Sequence, residues 1–292
     1  MLTDHNTLQA KQDGKAGLTG RILVVVGEEV SPAHGHYLGL GLKEEVPRRK
    51  EPQWTVDQVA AQGGLGFIAH PFLRRSAWKD HSVRGFTGLE IYNAAESLSG
   101  HSPAALGLSI LLLGSDFSLL HWVRRPDQAL RLWDQCLADG RRTVGIGGAD
   151  AHGLGWMGLR LGPYASLFKL VRNHLWIRGE LTEAAVYEAL REGRLYVAHD
   201  LVADSKGFSF LACADGKVRA VMGGQVSWRP DLKLYAHLPS PGEMFLYWDG
   251  RVMARVRGQD GWFEPEQPGV YRLEASRKGK PWIYSNPIRV VE

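Results

Sequence analysis

Histidine, aspartate and glutamate recur where apolar runs of this chain end, and no cysteine stands among them. Asp4-His5 lies at the start. Glu28-Glu29 follows Ile22-Leu-Val-Val-Val-Gly, and His34 and His36 come soon after in Ala-His-Gly-His-Tyr. His70 follows Gly66-Phe-Ile-Ala, and Asp150-Ala-His152 follows Thr143-Val-Gly-Ile-Gly. Imidazole combined with carboxylate suits Zn²⁺, Mn²⁺ or Fe²⁺ and argues against a purely structural thiolate site. A carboxylate such as Glu29 can bridge two cations. Two metals roughly 3.5–4 Å apart can clamp a phosphoryl or acyl centre and acidify a water between them. Asp150 and His152 are two apart, so at a strand end both can point into one cup. Any one of these residues alone is weak evidence. Taken singly, His121 and His237 read as surface or hydrogen-bonded histidines, Glu28-Glu29 as a solvated pair, and His34 and His36 as loop histidines. The repetition at four strand ends carries the metal-site reading.

The elements that position these residues alternate. Strands are expected over 22–27, 66–69, 88–93 and 143–147, and helices over 55–62, 126–138 and 182–192. Continuous apolar runs read as strands buried on both faces. Pro126 suits a first helical turn, and Gly140 and Gly193 suit helix stops. Strands alternating with helices imply a parallel α/β arrangement, and in an α/β barrel the C-terminal strand ends meet on one face. After about residue 200 the segments become short and alternating, with an Asp249-Gly250 hairpin signal. The expected organisation is a metal-binding barrel over 1–200 and a small all-β, sandwich-like domain over 201–292.

The chain has 292 residues and a net charge of +4, with basic residues in pairs such as Arg74-Arg75 and Arg124-Arg125 separated by acids. That is a solvated surface rather than a nucleic-acid stripe, and no nucleic-acid partner is expected. Cys136 and Cys213 stand far apart in no metal or redox spacing and read as free thiols. The longest apolar run, 106–113, is too short to span a bilayer. No membrane partner is expected, no signal peptide is visible, and a cytoplasmic location is expected.

Leu-Thr-Asp-His-Asn-Thr, Gly-Glu-Glu-Val-Ser with Gly-His-Tyr-Leu-Gly-Leu-Gly, Ala-His-Pro-Phe, Gly-Leu-Glu-Ile-Tyr-Asn and Gly-Gly-Ala-Asp-Ala-His together resemble the PHP (polymerase and histidinol phosphatase) domain. More narrowly they resemble its metal-dependent phosphoesterases related to carbaryl hydrolase. The later Leu-Arg-Glu-Gly-Arg-Leu-Tyr-Val-Ala and Tyr-Ser-Asn-Pro-Ile look like that group's C-terminal β domain. The resemblance implies a distorted (β/α)7 barrel with two or three divalent ions (Mn, Zn or Fe). By motif match the ligands would be His5, Glu29, His36, His70, Asp150 and His152. Asp4 would orient a ligand, and Glu90 would lie beside the site in a supporting role. Arg74, Arg75 and Arg178 are candidates for phosphate contact by charge and fork geometry.

The family's opening His-x-His-Thr and Ser-Asp-Gly do not occur before Asp4-His5, so the barrel is expected to be incomplete at its N-terminal side. Met1 is expected to be internal to a longer protein. The function implied is hydrolysis of a small phosphoester by metal-activated water. Carbamate or carboxyl ester hydrolysis in the same site is the alternative, with a non-catalytic module binding through Trp228, Tyr235, Tyr247, Trp248, Trp262 and Trp282 as the third reading. The sequence leaves the oligomeric state open.

Overall fold

The computed structural model describes residues 1–49, 51–151, 155–156, 159–160 and 164–292. The chain opens with β1 (Leu2–His5), α1 (Gln9–Gln12), the hairpin β2 (Gly17–Thr19) and β3 (Ile22–Val24), then β4 (Val26–Val30), β5 (Tyr37–Leu40), α2 (Pro52–Ala61), β6 (Leu65–Ile68) and β7 (Gly88–Asn93). Helices α3 (Ala94–Leu98), α4 (Pro103–Leu113), α5 (Ser115–Trp122) and α6 (Asp127–Ala138) lead to β8 (Val144–Gly148), the short pair β9 (Gly155–Trp156) and β10 (Leu159–Arg160), α7 (Tyr164–Leu170), β11 (Arg172–Leu175), α8 (Glu183–Glu192) and β12 (Leu195–Ala198). Strands alone follow: β13 (Ser209–Ala214), β14 (Lys217–Val221), β15 (Gln225–Ser227), β16 (Lys233–Trp248), β17 (Arg251–Phe263), β18 (Gly269–Arg277), β19 (Lys280–Ser285) and β20 (Ile288–Val291).

The first sheet has six strands in the order β1-β4-β5-β6-β7-β8. β1 runs parallel to β4, and β6, β7 and β8 are mutually parallel, but β5 is antiparallel to both β4 and β6. This overturns the (β/α)7 barrel implied by the family resemblance: the sheet is open and mixed. The physical reason lies in the connections. A parallel neighbour needs a crossover of a dozen or more residues, whereas β4 and β5 are joined by the six residues 31–36. Their turn passes Gly35 at φ 123°, where a Cβ would lie 2.5 Å from the Trp78 Cα. The apolar run over 22–27 is likewise not one strand. Val25 separates β3, in its own hairpin, from β4, which carries Glu28 and Glu29 within it.

Helix ends follow local rules more closely. Helix α2 begins at Pro52 in its first turn, three residues before Thr55, which is buried inside the helix. On α8 the Thr182 side chain accepts from the Ala185 N–H, Glu183 lies in the first turn, and Gly193 closes the helix at φ 72°.

The second sheet has ten strands, and its main path runs β11-β12-β19-β18-β16-β13-β14. Every pairing in it is antiparallel except β15 with β20. Two of its strands, β11 and β12, precede residue 200. The β16–β17 register breaks between His237 and Gly242, where Pro239 and Pro241 remove ladder donors. Its apolar core is built on Phe208, Phe210, Leu234, Leu246, Leu273 and Trp282. The core of the first layer joins Ile91 and Tyr92 to Leu130, Trp133 and Leu137 of α6.

Two asparagine side chains close the outer edge of β8. Asn286 Oδ1 accepts from the Gly145 N–H at 2.9 Å while its Nδ2 donates to the Gly145 carbonyl at 2.8 Å. Asn173 does the same to Gly147, at 2.8 and 2.7 Å. These amides supply what a neighbouring strand would, and they tie the second layer to the first.

Candidate metal centre

Every strand of the first sheet sends a polar residue to the same end. His5 ends β1 and lies in register with Glu29 of β4. His36 precedes β5, whose antiparallel direction brings its N-terminal end to this side. His70 follows β6 by two residues, and the Ala69 N–H donates to the His36 carbonyl at 3.1 Å. Glu90 comes from β7, and Asp150 follows β8.

Glu29 is the hub. Its Oε1 lies 2.7 Å from His36 Nδ1 and 3.1 Å from His70 Nε2, and those two ring nitrogens are 3.1 Å apart. His5 Nδ1 lies 3.7 Å from the other oxygen, Oε2. The ligating atoms of His5, Glu29 and His36 all fall within 4.8 Å of one another. Glu28 alternates to the opposite face, as strand geometry requires. There it is fully buried, and its Oε2 accepts from the Val46 N–H at 2.9 Å.

Supporting hydrogen bonds set these groups. Ser31 Oγ lies 2.7 Å from His5 Nδ1 and donates to the Glu29 carbonyl at 3.0 Å, and the Ser31 N–H donates to Asn6 Oδ1 at 2.9 Å. Glu90 Oε2 accepts from the His70 N–H at 2.7 Å and from Asn93 Nδ2 at 2.8 Å. Gly148 is required here, because a Cβ would fall 1.8 Å from Glu90 Oε1. Asn6, His70 and Asp150 hold positive φ angles of 56°, 26° and 44° at this end of the sheet. Among the described residues, the other non-glycine positions in that region are Asp215, Asp249 and Lys278, which sit in the hairpin connections of the second sheet. Left-handed backbone at a histidine or aspartate costs free energy that surrounding contacts have to offset, and such positions concentrate at functional sites.

The electrostatics follow from this crowding. Burial pushes the Glu29 carboxyl up, but the His36 and His70 imidazoles outweigh it and hold the group at about 2. Burial lowers His70, yet Glu29, Glu90 and Asp150 raise it to about 9. Glu90 is pushed up to about 7 by burial, with His70 opposing.

Among the predicted residues, His5, Glu29, His36 and His70 meet directly. Asp150 and Glu90 line the same cleft, of about 870 Å³, as does Asp4, which is exposed. His152 lies outside the described residues. Arg74, Arg75 and Arg178 are exposed and do not line the cleft. Sequence reasoning passed over Asn6, Ser31, Asn93 and Asn173. Asn6, Ser31 and Asn93 each stand in one of the motifs quoted above, whereas nothing in the sequence pointed to Asn173. Three imidazoles and a carboxylate converging on one point, with acids behind them, form a donor set suited to a borderline divalent ion.

Comparison with known proteins is sparse. Two uncharacterised proteins of Methanocaldococcus jannaschii are similar to parts of the chain. One is 33% identical over 72 residues, which is 24% of this chain and 42% of the relative. The other is 32% identical over 71 residues, 24% of this chain and 26% of the relative. The chain therefore spans less than half the length of these curated relatives. No family model matches the chain, and no solved structure matches it. No helix among the described residues is long and apolar enough to cross a membrane.

Proposed function

We propose that the Glu29 cluster binds one or more divalent ions of the Mn, Zn or Fe type and that the protein hydrolyses a small-molecule phosphoester. The observation that carries this is the convergence of His5, His36 and His70 on one buried carboxylate. Motif resemblance to the PHP phosphoesterases supports the chemistry, although the sheet is open. Glu29, His5, His36 and His70 would hold the ion, with Asp150 within electrostatic reach of His70. A bound ion would polarise the scissile ester and acidify an attacking water. The chain itself orients the ligands through Ser31 and Asn6. Glu90 fixes the strained His70 backbone and, with its carboxyl raised to about 7, can hold or release a proton near neutral pH.

A second reading, carbamate or carboxyl ester hydrolysis, draws on the cleft walls. Leu38, Leu40, Ile146, Val171 and Leu175 line it, and no arginine or lysine does so among the described residues. A carbonyl ester with an apolar group needs no cationic clamp. Purified protein would be analysed for bound metal and then assayed with Mn²⁺ on a phosphomonoester, a phosphodiester and an aryl carbamate. Turnover of a phosphate substrate, lost by at least about a hundredfold in Glu29→Gln, is the expected result. Turnover of the carbamate alone selects the second reading. Metal below one equivalent with no turnover rejects both.

A further inference from the structure

Helix α4 is apolar on every side. Between Ser102 and Ser115 it carries no charged residue, and of its leucines only Leu106 is buried. Leu106 and Ile110 share one side of the helix. Leu108, Leu111 and Leu112 fall on the other at i, i+3 and i+4 spacing, and they are 57%, 81% and 70% exposed. Leu113 and, on α5, Phe117 extend the surface at 55% and 59%. Tyr164 and Phe168 of α7, which packs on α5, are also about half exposed and reach the rim of the metal-centre cleft. A helix that is apolar all round belongs in an interior, covered on both faces. This molecule covers one.

Size and composition decide what covers the other. At roughly 200 Å² for a whole side chain of this kind, these seven residues leave on the order of 800 Å² of apolar surface in water. That exceeds the few hundred Å² a monomer usually exposes and reaches what one partner contributes to a stable protein interface. A bilayer is the poorer occupant. Eleven residues of helix extend about 16 Å, half of a hydrocarbon core. A helix lying in the headgroup plane needs a charged face, and α4 has none. We infer that the α4–α5 hairpin is a self-association surface, seating the α4 of a second copy against its own about a two-fold axis. A two-fold contact presents the same patch twice, so a stripe of leucines needs no separate partner surface.

The test uses the full chain in sedimentation equilibrium. The expected mass is twice 32.4 kDa at micromolar concentration. Leu111→Glu with Leu112→Glu should raise the dimer Kd at least about a hundredfold. Because both side chains are exposed, the thermal unfolding midpoint of the separated monomer should stay within a few degrees. A second variant does not depend on that fold tolerance. Leu111→Cys should cross-link to itself under mild oxidant far faster than Val218→Cys, an exposed site on β14. A monomeric wild type overturns the inference. So does a dimer indifferent to the glutamates, equal cross-linking at both sites, or a monomer whose leucine stripe instead carries it onto lipid vesicles.

Discussion

Two buried carboxylate clusters in this protein solve the same electrostatic problem with different nitrogen-bearing partners. Glu29 is surrounded by His5, His36 and His70. Glu274 of β18 is surrounded by arginines: Arg125 reaches it through Nε at 2.7 Å and Nη2 at 2.8 Å, and Arg272 through Nη1 at 2.5 Å. Arg272 also grips Asp134 of α6 with two bonds of 2.7 Å and lies over the Tyr247 ring at 4.1 Å. In both places burial would raise the acid, and in both the neighbours win, so Glu274 too is held below the usual carboxylate range. The difference is what the neighbours can give up. A guanidinium stays protonated and offers only donors. The arginine cluster is therefore saturated, and it rivets helix α6 to the second sheet. An imidazole can lose its proton and turn a lone pair toward a metal. On the proposed function the histidine cluster would exchange its protons for a metal, and it borders the cleft.

The largest effect should come from the arginine side. Arg272→Met leaves the buried Glu274 and the half-buried Asp134 without their shared cation, and breaking such a pair costs about 3–5 kcal/mol. Urea unfolding would measure it. A loss under about 1 kcal/mol would mean that water or Arg125 already compensates the acids, and the contrast with Glu29 would fail.

These two clusters were not equally legible in the sequence. Histidines and acids at strand ends are visible because strand ends are signalled by glycine and by the end of an apolar run. Glu274 and Arg272 lie in Val270-Tyr-Arg-Leu-Glu-Ala, whose alternation reads as a solvated polar face. The structure instead covers that face with α6, a tertiary event that no local pattern records. Sheet topology was hidden for a related reason. The loop over 31–36 shows Pro32 and Gly35, which signal a turn, but not which way the next strand runs. The barrel expectation assumed that every strand end was a C-terminal end, and β5 brings His36 to the site from its N-terminal end. In the sequence the apolar surface of α4 shows only as a run too short for a membrane.

His199 sharpens the comparison as a third solution, a buried base whose neighbouring acid, Asp200, does not offset its burial. It sits at the seam between the layers, edge-on to Tyr92 at 4.2 Å and near Tyr284, with its Nδ1 2.6 Å from the Leu170 carbonyl. Burial holds it neutral, lowering it to about 4 from 6.5. Between those values the unfolded chain takes up a proton that the fold refuses. Stability is therefore complete above pH 6.5 and declines as the pH falls through 4, by roughly 3 kcal/mol at most. Unfolding free energies at pH 7.5, 5.5 and 4.5 should fall more steeply for the wild type than for His199→Phe. Equal slopes would place the proton-sensitive group elsewhere.

The smallest effect is the one that separates rivet from site. If the imidazoles of the first cluster exchange protons for a metal, Zn²⁺ or Mn²⁺ binds the folded chain and not the unfolded one. Stability then rises with free metal, by about 2.7 kcal/mol at a hundredfold excess over Kd. Glu29→Gln keeps the three histidines but loses the anionic oxygens at the hub, so the same metal concentration should stabilise it by less than about 1 kcal/mol. Arg272→Met, weakened overall, should retain the full metal increment, because its network shares no residue with the cluster and distant sites add. Thermal melts of the three proteins across a metal titration read all of this at once. An equal increment in the wild type and Glu29→Gln would show that metal binds elsewhere. Glu29 would then be as closed a carboxylate as Glu274, held by partners that it never exchanges.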